Sequence, residues 1–175
     1  MAQRFREGQI SFDFPNGWLI ARPGESPYYS RHFQRFGSGG QGVKEADFVA
    51  WDPAEKTVWL MEVKDYRLHP RTKIHDLADE VVEKARDTLA LLRAAQSQDR
   101  NQPDAIRDVA AESAPATSIR IVIHCALPAR PSKLFPGIKD AANLQTKLRE
   151  RVYAVDPRAL VTGGPKAARV PWSVV

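Results

Sequence analysis

The segment from Lys44 to Tyr66 constrains the fold most, because its residues predict two strands joined by a short connection. Asp47 lies near the start of the first strand, and Glu62-Val63-Lys64 ends the second. If the connection is Pro53-Ala54-Glu55-Lys56, Asp47 lies opposite Glu62, and Lys64 shares their face because side chains alternate along a strand. A connection of three residues would instead place Asp47 opposite Met61 and separate the acids.

Two carboxylates and a lysine on one face are the groups that a magnesium-dependent phosphodiester cleavage site needs. A second interpretation is that Glu62 and Lys64 form a surface ion pair, which would contribute little stability, and that Asp47 is a solvent-facing turn residue. Val58 and Leu60 share the face of Glu62 and Lys64, so this face is not simply exposed. Acids at the end of an apolar strand face favour the edge of a cleft.

Length and composition predict one ordinary globular domain spanning residues 1–175, with a core over about 10–155 and an unassigned C-terminal tail. Hydrophobic residues make up 43% of the chain and charged residues 27%, which excludes a disordered chain. No stretch has the roughly 18 apolar residues of a membrane span, and the N-terminus lacks the apolar core of a signal peptide. We therefore expect no membrane association and a cytoplasmic location. Cys125 lies in an apolar run and is expected to be a buried thiol.

Positive charge is concentrated in the last third of the chain. Residues 118–175 contain 10 Lys and Arg against three Asp and Glu, although residues 1–117 contain 16 against 18. This distribution suits a polyanionic partner. A basic surface that serves only solubility is the alternative.

The N-terminal pattern predicts a hairpin. Ile10–Phe14 alternates like a half-buried strand, Asn16-Gly17 is a strong turn signal, and Trp18–Ala21 would return beside the first strand. Ser26 is a candidate helix cap for a short helix over Tyr28–Phe36.

The remaining elements alternate between helices and strands. The apolar spacing predicts a long helix over about 75–96, a short helix over about 103–112 and a helix over 139–151. The run 118–126 predicts a buried strand, 127–137 an extended basic loop, and 152–155 a short strand. This order predicts an α/β fold with a mixed central sheet flanked by helices.

With Asp47, Glu62 and Lys64 on two strands, followed by a long helix and a buried strand, the chain resembles the PD-(D/E)XK nuclease superfamily. The region from Gly42 to Tyr66 is similar to its nuclease-related and restriction-endonuclease-like members. The resemblance implies a restriction-endonuclease-like core.

The resemblance also implies roles for individual residues. Asp47 and Glu62 would be carboxylate ligands of Mg²⁺, with Mn²⁺ as a substitute, and the Val63 carbonyl would be a further ligand. Lys64 would orient the attacking water, lower the pKa of that water or neutralise developing charge, with its own pKa lowered by desolvation beside the metal. Glu25 is the candidate for an additional acid contributed from the N-terminal region.

The functional hypothesis from the sequence is therefore a metal-dependent nuclease whose partner is nucleic acid, with DNA favoured. Phosphate contacts are expected from the connector after the second strand and from the basic loop; these residues are Arg67, Arg71, Lys73, Arg130 and Lys133. A homodimer or a partner subunit remains open. The alternatives are a non-cleaving nucleic-acid-binding module on the same fold, and a partner-binding protein that uses the proline-rich basic loop.

Overall fold

The structure is a computed structural model that describes residues 3–36, 42–67, 75–97, 103–127, 141–163 and 170–175. Its strands are β1 Gln3–Glu7, β2 Ile10–Phe14, β3 Leu19–Ala21, β4 Phe48–Asp52, β5 Thr57–Asp65, β6 Ser118–Ala126, β7 Leu160–Thr162 and β8 Ser173–Val174. Its α-helices are α1 Leu77–Gln96, α2 Ala105–Glu112 and α3 Ala141–Val152, with a 3₁₀ turn at Pro23–Glu25 and a π-helical turn at Tyr29–Phe33.

A five-stranded sheet in the order β3-β4-β5-β6-β7 forms the centre of the molecule. The pairs from β3 to β5 are antiparallel, and those from β5 to β7 are parallel. Leu60, Ile121 and Ile123 face the helices on one side of this sheet. The predicted α/β fold with a mixed sheet flanked by helices is confirmed.

The other face of the central sheet is covered by a second, three-stranded sheet in the order β1-β2-β8. Phe12 and Phe14 of β2 are almost fully buried and pack with Phe48 and Met61 of the central sheet. Trp172, next to β8, is also buried and makes an edge contact with Trp59, with ring centroids 5.2 Å apart. The packed core therefore includes residues on both sides of the predicted range of 10–155.

The hairpin of β4 and β5 has the register that the four-residue connection predicts, with Asp52 paired with Thr57 and Phe48 paired with Met61. One carboxylate oxygen of Asp52 accepts hydrogen bonds from the backbone N–H groups of Ala54 and Glu55 at 3.0 and 3.2 Å. This Asx turn satisfies two backbone donors and fixes the length of the connection.

The predicted N-terminal hairpin is wrong. β2 pairs with β1 through a two-residue turn that begins at Gly8, which has a positive φ of 56°. After the turn at Asn16-Gly17, the chain crosses to the other sheet, where β3 pairs with β4. Ala21 and Ile20 are buried against the central sheet, and this non-local burial decides the pairing instead of the local turn signal.

The three predicted helices are present with slightly different ends. Asp76 caps α1 by accepting a hydrogen bond from the N–H of Ala78, and β6 has the predicted bounds. The predicted strand over 152–155 is wrong, because α3 runs to Val152 and its carbonyl then accepts bonds from the N–H groups of Val155 and Asp156. Most of the predicted basic loop, 128–137, lies outside the described residues.

Cys125 is buried, as the sequence predicts. In the described ranges, no helix is both long enough and apolar enough to cross a membrane.

Asp104 joins the N-terminal turns to α2. Its buried carboxylate accepts hydrogen bonds from the hydroxyl of Ser26 at 2.8 Å, from the N–H of Tyr28 at 2.8 Å and from the N–H of Ile106 at 2.9 Å. Ser26 in turn accepts a bond from the N–H of Tyr29, so it caps the following turn.

We predict that Asp104→Ala lowers the free energy of unfolding by about 3 kcal/mol, because three buried donors lose their acceptor. Urea unfolding of both proteins measures the difference. The exposed Asp108→Ala on the same helix is the matched control and is expected to change stability much less. Equal effects of the two substitutions would contradict this role of Asp104.

Candidate functional site: a buried charge network

The two acids singled out by the sequence lie side by side. Asp47 directly precedes β4, and the register of β4 against β5 places it opposite Glu62. Both carboxylates approach one cation, the ammonium group of Lys84 from α1. The Lys84 Nζ lies 2.8 and 3.0 Å from the two oxygens of Glu62 and 4.0 Å from Oδ1 of Asp47.

Asp47 is also held by the backbone of β5. Its Oδ2 accepts a hydrogen bond of 2.7 Å from the N–H of Val63. Val63 thus contacts the site through its amide group, and the role of its carbonyl as a metal ligand stays a prediction.

Lys64 lies between two carboxylates. Its Nζ is 2.7 Å from Oε1 of Glu62 and 2.9 Å from Oε1 of Glu80, which belongs to α1. Burial alone would lower the pKa of Lys64, but the charges and hydrogen bonds of Glu62 and Glu80 outweigh burial and raise this pKa. In this arrangement the side chain is an ammonium group at neutral pH. The lowered Lys64 pKa that is expected beside a bound metal stays a prediction.

Glu62 is the most buried member of the network, with 2% of its side chain exposed. Burial raises the pKa of its carboxyl, and the neighbouring charge of Asp47 raises it further, while Lys84 and Lys64 oppose both effects. The network therefore comprises three carboxylates and two ammonium groups; its members are Asp47, Glu62, Lys64, Glu80 and Lys84.

Sequence reasoning missed the two members on α1. Glu80 and Lys84 are four residues apart, so they lie on one side of the helix, next to its apolar stripe of Leu77, Val81 and Ala85. Glu62 faces this helix because Leu60, two positions before it, belongs to the helix-facing core. A Glu-Lys pair beside an apolar stripe is the sequence pattern that could have indicated these two residues. The stripe alone does not determine which strand the helix covers.

Glu25 and Asp47 both line a small cleft of about 200 Å³, together with Glu7 and Glu45. Glu25 forms an ion pair with Arg22 and is largely exposed. The structure therefore brings Glu25 to the same cleft as Asp47, and its catalytic role remains a prediction.

Of the predicted phosphate-binding residues, Arg67 is described and is engaged with a neighbour. Its guanidinium donates two hydrogen bonds to Asp65, at 2.8 and 2.6 Å, and this pairing lowers the pKa of the Asp65 carboxyl. The other four lie outside the described residues; they are Arg71, Lys73, Arg130 and Lys133.

The network does not fit the predicted Mg²⁺ or Mn²⁺ site as it stands. An ammonium group, that of Lys84, lies between Glu62 and Asp47, where the prediction requires the metal ion. Over the described part of the chain, no group of three or more His, Cys, Asp or Glu side chains is arranged to hold a metal. In this geometry the two ammonium groups pair with carboxylates of β5 and α1 and offset most of their negative charge.

Comparison with known proteins shows similarity to a tRNA ligase. The chain is 33% identical, over 207 residues, to a cysteine–tRNA ligase of Neisseria meningitidis serogroup A / serotype 4A. The match includes 96% of this chain but only 29% of the ligase. No family model and no solved structure matches the chain.

This comparison overturns the functional hypothesis from the sequence. The relative carries the name of a ligase, so the prediction of a metal-dependent nuclease, with its hydrolase and endonuclease activity, is wrong. The pattern on which that prediction rested, Asp47 followed after a gap by Glu62-Val63-Lys64, is short. In this fold the same residues form ion pairs with a helix.

We predict that Lys84→Met lowers the free energy of unfolding by about 3 kcal/mol at pH 7, because the buried carboxyl group of Glu62 loses one of its two cations. Urea unfolding measures the loss. Lys44→Met is the matched control, since the Lys44 ammonium pairs with Glu83 but is 43% exposed. Adding Glu62→Gln to Lys84→Met should restore part of the lost stability. A loss no larger than that of the control would refute the network's structural role.

The raised pKa of Glu62 predicts a specific pH dependence. The proton that Glu62 binds in the folded protein stabilises the fold below the ordinary pKa of 4.5, and this stabilisation is lost as pH rises through the higher folded-state pKa. Glu62→Gln should remove this part of the profile. The stability of the parent relative to Glu62→Gln should therefore fall from pH 4 upward, as urea unfolding at a series of pH values would measure. Glu112→Gln, at an exposed site on α2, is the control. Parallel profiles for the parent and Glu62→Gln would contradict the raised pKa.

Proposed function

We propose that this chain is a non-catalytic module that binds tRNA beside, or as part of, an aminoacyl-tRNA ligase. The observation that carries the proposal is the extent of the similarity to the cysteine–tRNA ligase. The similar region includes 96% of this chain. The same region is only 29% of the length of the ligase. The chain therefore corresponds to a segment of that ligase, and a segment of this size suits one module of a larger enzyme.

The charge network supports a module without catalysis. Lys64 and Lys84 are the two cations of the network, and each is within 3.0 Å of at least one carboxylate oxygen. The raised pKa of Lys64 keeps its proton in place at neutral pH, so this lysine is unsuited to accept a proton.

The basic last third of the chain supports a polyanionic partner. Part of its charge is neutralised inside the fold, because Lys147 and Arg151 of α3 form ion pairs with Asp76 and Asp79 near the start of α1. Arg120 pairs with Asp156 in the same way. The remaining positive charge includes Arg130 and Lys133, to which we assign the phosphate contacts. The choice of tRNA over DNA rests on the name of the relative, and it implies a cytoplasmic location.

Fluorescence anisotropy with a labelled cysteine-specific tRNA tests the proposal. We expect the chain to bind this tRNA more tightly than a DNA duplex of similar charge, with affinity that falls as salt increases. Arg130→Ala with Lys133→Ala should reduce the slope of log affinity against log salt by about two units, one for each lost phosphate contact.

The control is the double variant Arg6→Ala with Arg86→Ala, which removes the same charge from exposed residues outside the basic third. It should leave the salt slope nearly unchanged. Tighter binding of the DNA duplex than of tRNA, or an equal slope for both double variants, would refute the proposal.

A further inference from the structure

A groove lies at the end of the central sheet far from the charge network. It is bordered by the C-terminal half of α1, the first residues of β5 and β6, and the segment 154–158, and its volume is about 490 Å³. Val58 lines it, and Val58 precedes Lys64 by six residues on β5, which is about 20 Å along a strand. This volume lies within the range of pockets that accommodate a ligand or several side chains.

One part of the groove lining is aliphatic, and the rest is polar or charged. Leu89 and Leu92 of α1 face Ile119 of β6 across it, and Val155 borders it. Val155 is 41% exposed and the neighbouring Tyr153 is 71% exposed, so this short segment carries two of the five large exposed hydrophobic residues in the described ranges. None of the lining side chains is aromatic. Branched and straight aliphatic walls suit aliphatic side chains better than nucleobases, which are bound by stacking.

The charges of the groove are positive. Arg93 and Arg158 line it, and in the described part of the chain neither guanidinium has a carboxylate partner. Asp156 is the acid in the lining, but it is 1% exposed and both of its oxygens are occupied. One oxygen accepts from the N–H of Arg158, and the other accepts from the N–H of Ile121 and the guanidinium of Arg120.

We infer that this groove docks an acidic amphipathic segment of a partner protein. Aliphatic side chains of that segment would enter between Leu92 and Ile119, and its carboxylates would pair with Arg93 and Arg158. Burial of the aliphatic side chains provides the affinity, and the two arginines select the acidic partner. This interaction is independent of tRNA binding and lies on different residues.

The test uses a fluorescein-labelled helical peptide of about 14 residues, or four turns, with leucine at helical spacing and glutamate elsewhere. The comparison peptide has lysine in place of each glutamate. We expect saturable binding of the glutamate peptide and none of the lysine peptide. Arg93→Glu with Arg158→Glu should weaken binding of the glutamate peptide by about tenfold or more.

Two further variants make the result specific to the groove. Ala154→Trp is at an exposed position that lines the groove and should fill it without disturbing the core, which urea unfolding checks. It should also abolish binding. Arg86→Glu reverses one charge on α1 outside the groove, at a side chain that is 71% exposed, and should leave binding unchanged.

Any of three results overturns the inference. The first is equal binding of the two peptides, or no saturation. The second is an unchanged affinity for the glutamate peptide in both the arginine double variant, Arg93→Glu with Arg158→Glu, and the separate variant Ala154→Trp. The third is loss of tRNA binding, but not of peptide binding, in the arginine double variant, which would assign the groove to nucleic acid.

Discussion

The ion pair between Glu62 and Lys84 joins α1 to a carboxylate that the central sheet buries. A carboxylate with 2% exposure must be neutralised where it is, because an unpaired buried charge costs several kcal/mol. Lys64 of the same strand is one cation beside Glu62, at 2.7 Å, and Lys84 of α1 is the second. Glu80, on the same side of α1 as Lys84, pairs with Lys64. Two ion pairs from one helix to one strand add to the packing of the buried apolar stripe of α1.

The same side of α1 also holds the segment that leads into β4. Asp87 accepts a hydrogen bond from the N–H of Lys44, and the hydroxyl of Thr88 accepts one from the N–H of Ala46. Asp47 follows directly and is held by Val63. Polar contacts with α1 therefore hold the start of β4, and the hairpin register places Asp47 beside the end of β5.

The hairpin and its register could be predicted because both depend on local information. Asp52 closes the connection with its own side chain, and the period of two then determines which residues face Glu62. α1 and β6 were predictable for the same reason, since each has a long regular apolar pattern. The second sheet was not, because β2 pairs with residues 3–7 and 173–174, and the strong Asn16-Gly17 signal is only a turn between sheets.

The candidate site shows the same limit. The sequence indicated that Asp47, Glu62 and Lys64 would come together, but their chemistry is decided by two residues of α1 that are distant in sequence. Lys84 pairs with Glu62 and approaches Asp47, and Glu80 adds to the effect of Glu62 in raising the pKa of Lys64. A short motif specifies positions on a hairpin, and the covering helix determines whether those positions are open to a substrate or closed by ion pairs.

A double-mutant cycle on Glu62 and Lys84 tests the central claim most directly. The free energy of unfolding would be measured at pH 7 for the parent, Glu62→Gln, Lys84→Met and the double variant. If the two side chains form the ion pair that positions α1, the double variant should be more stable than the sum of the single effects predicts, with a coupling of about 2 kcal/mol. Additivity within about 0.5 kcal/mol would contradict the account.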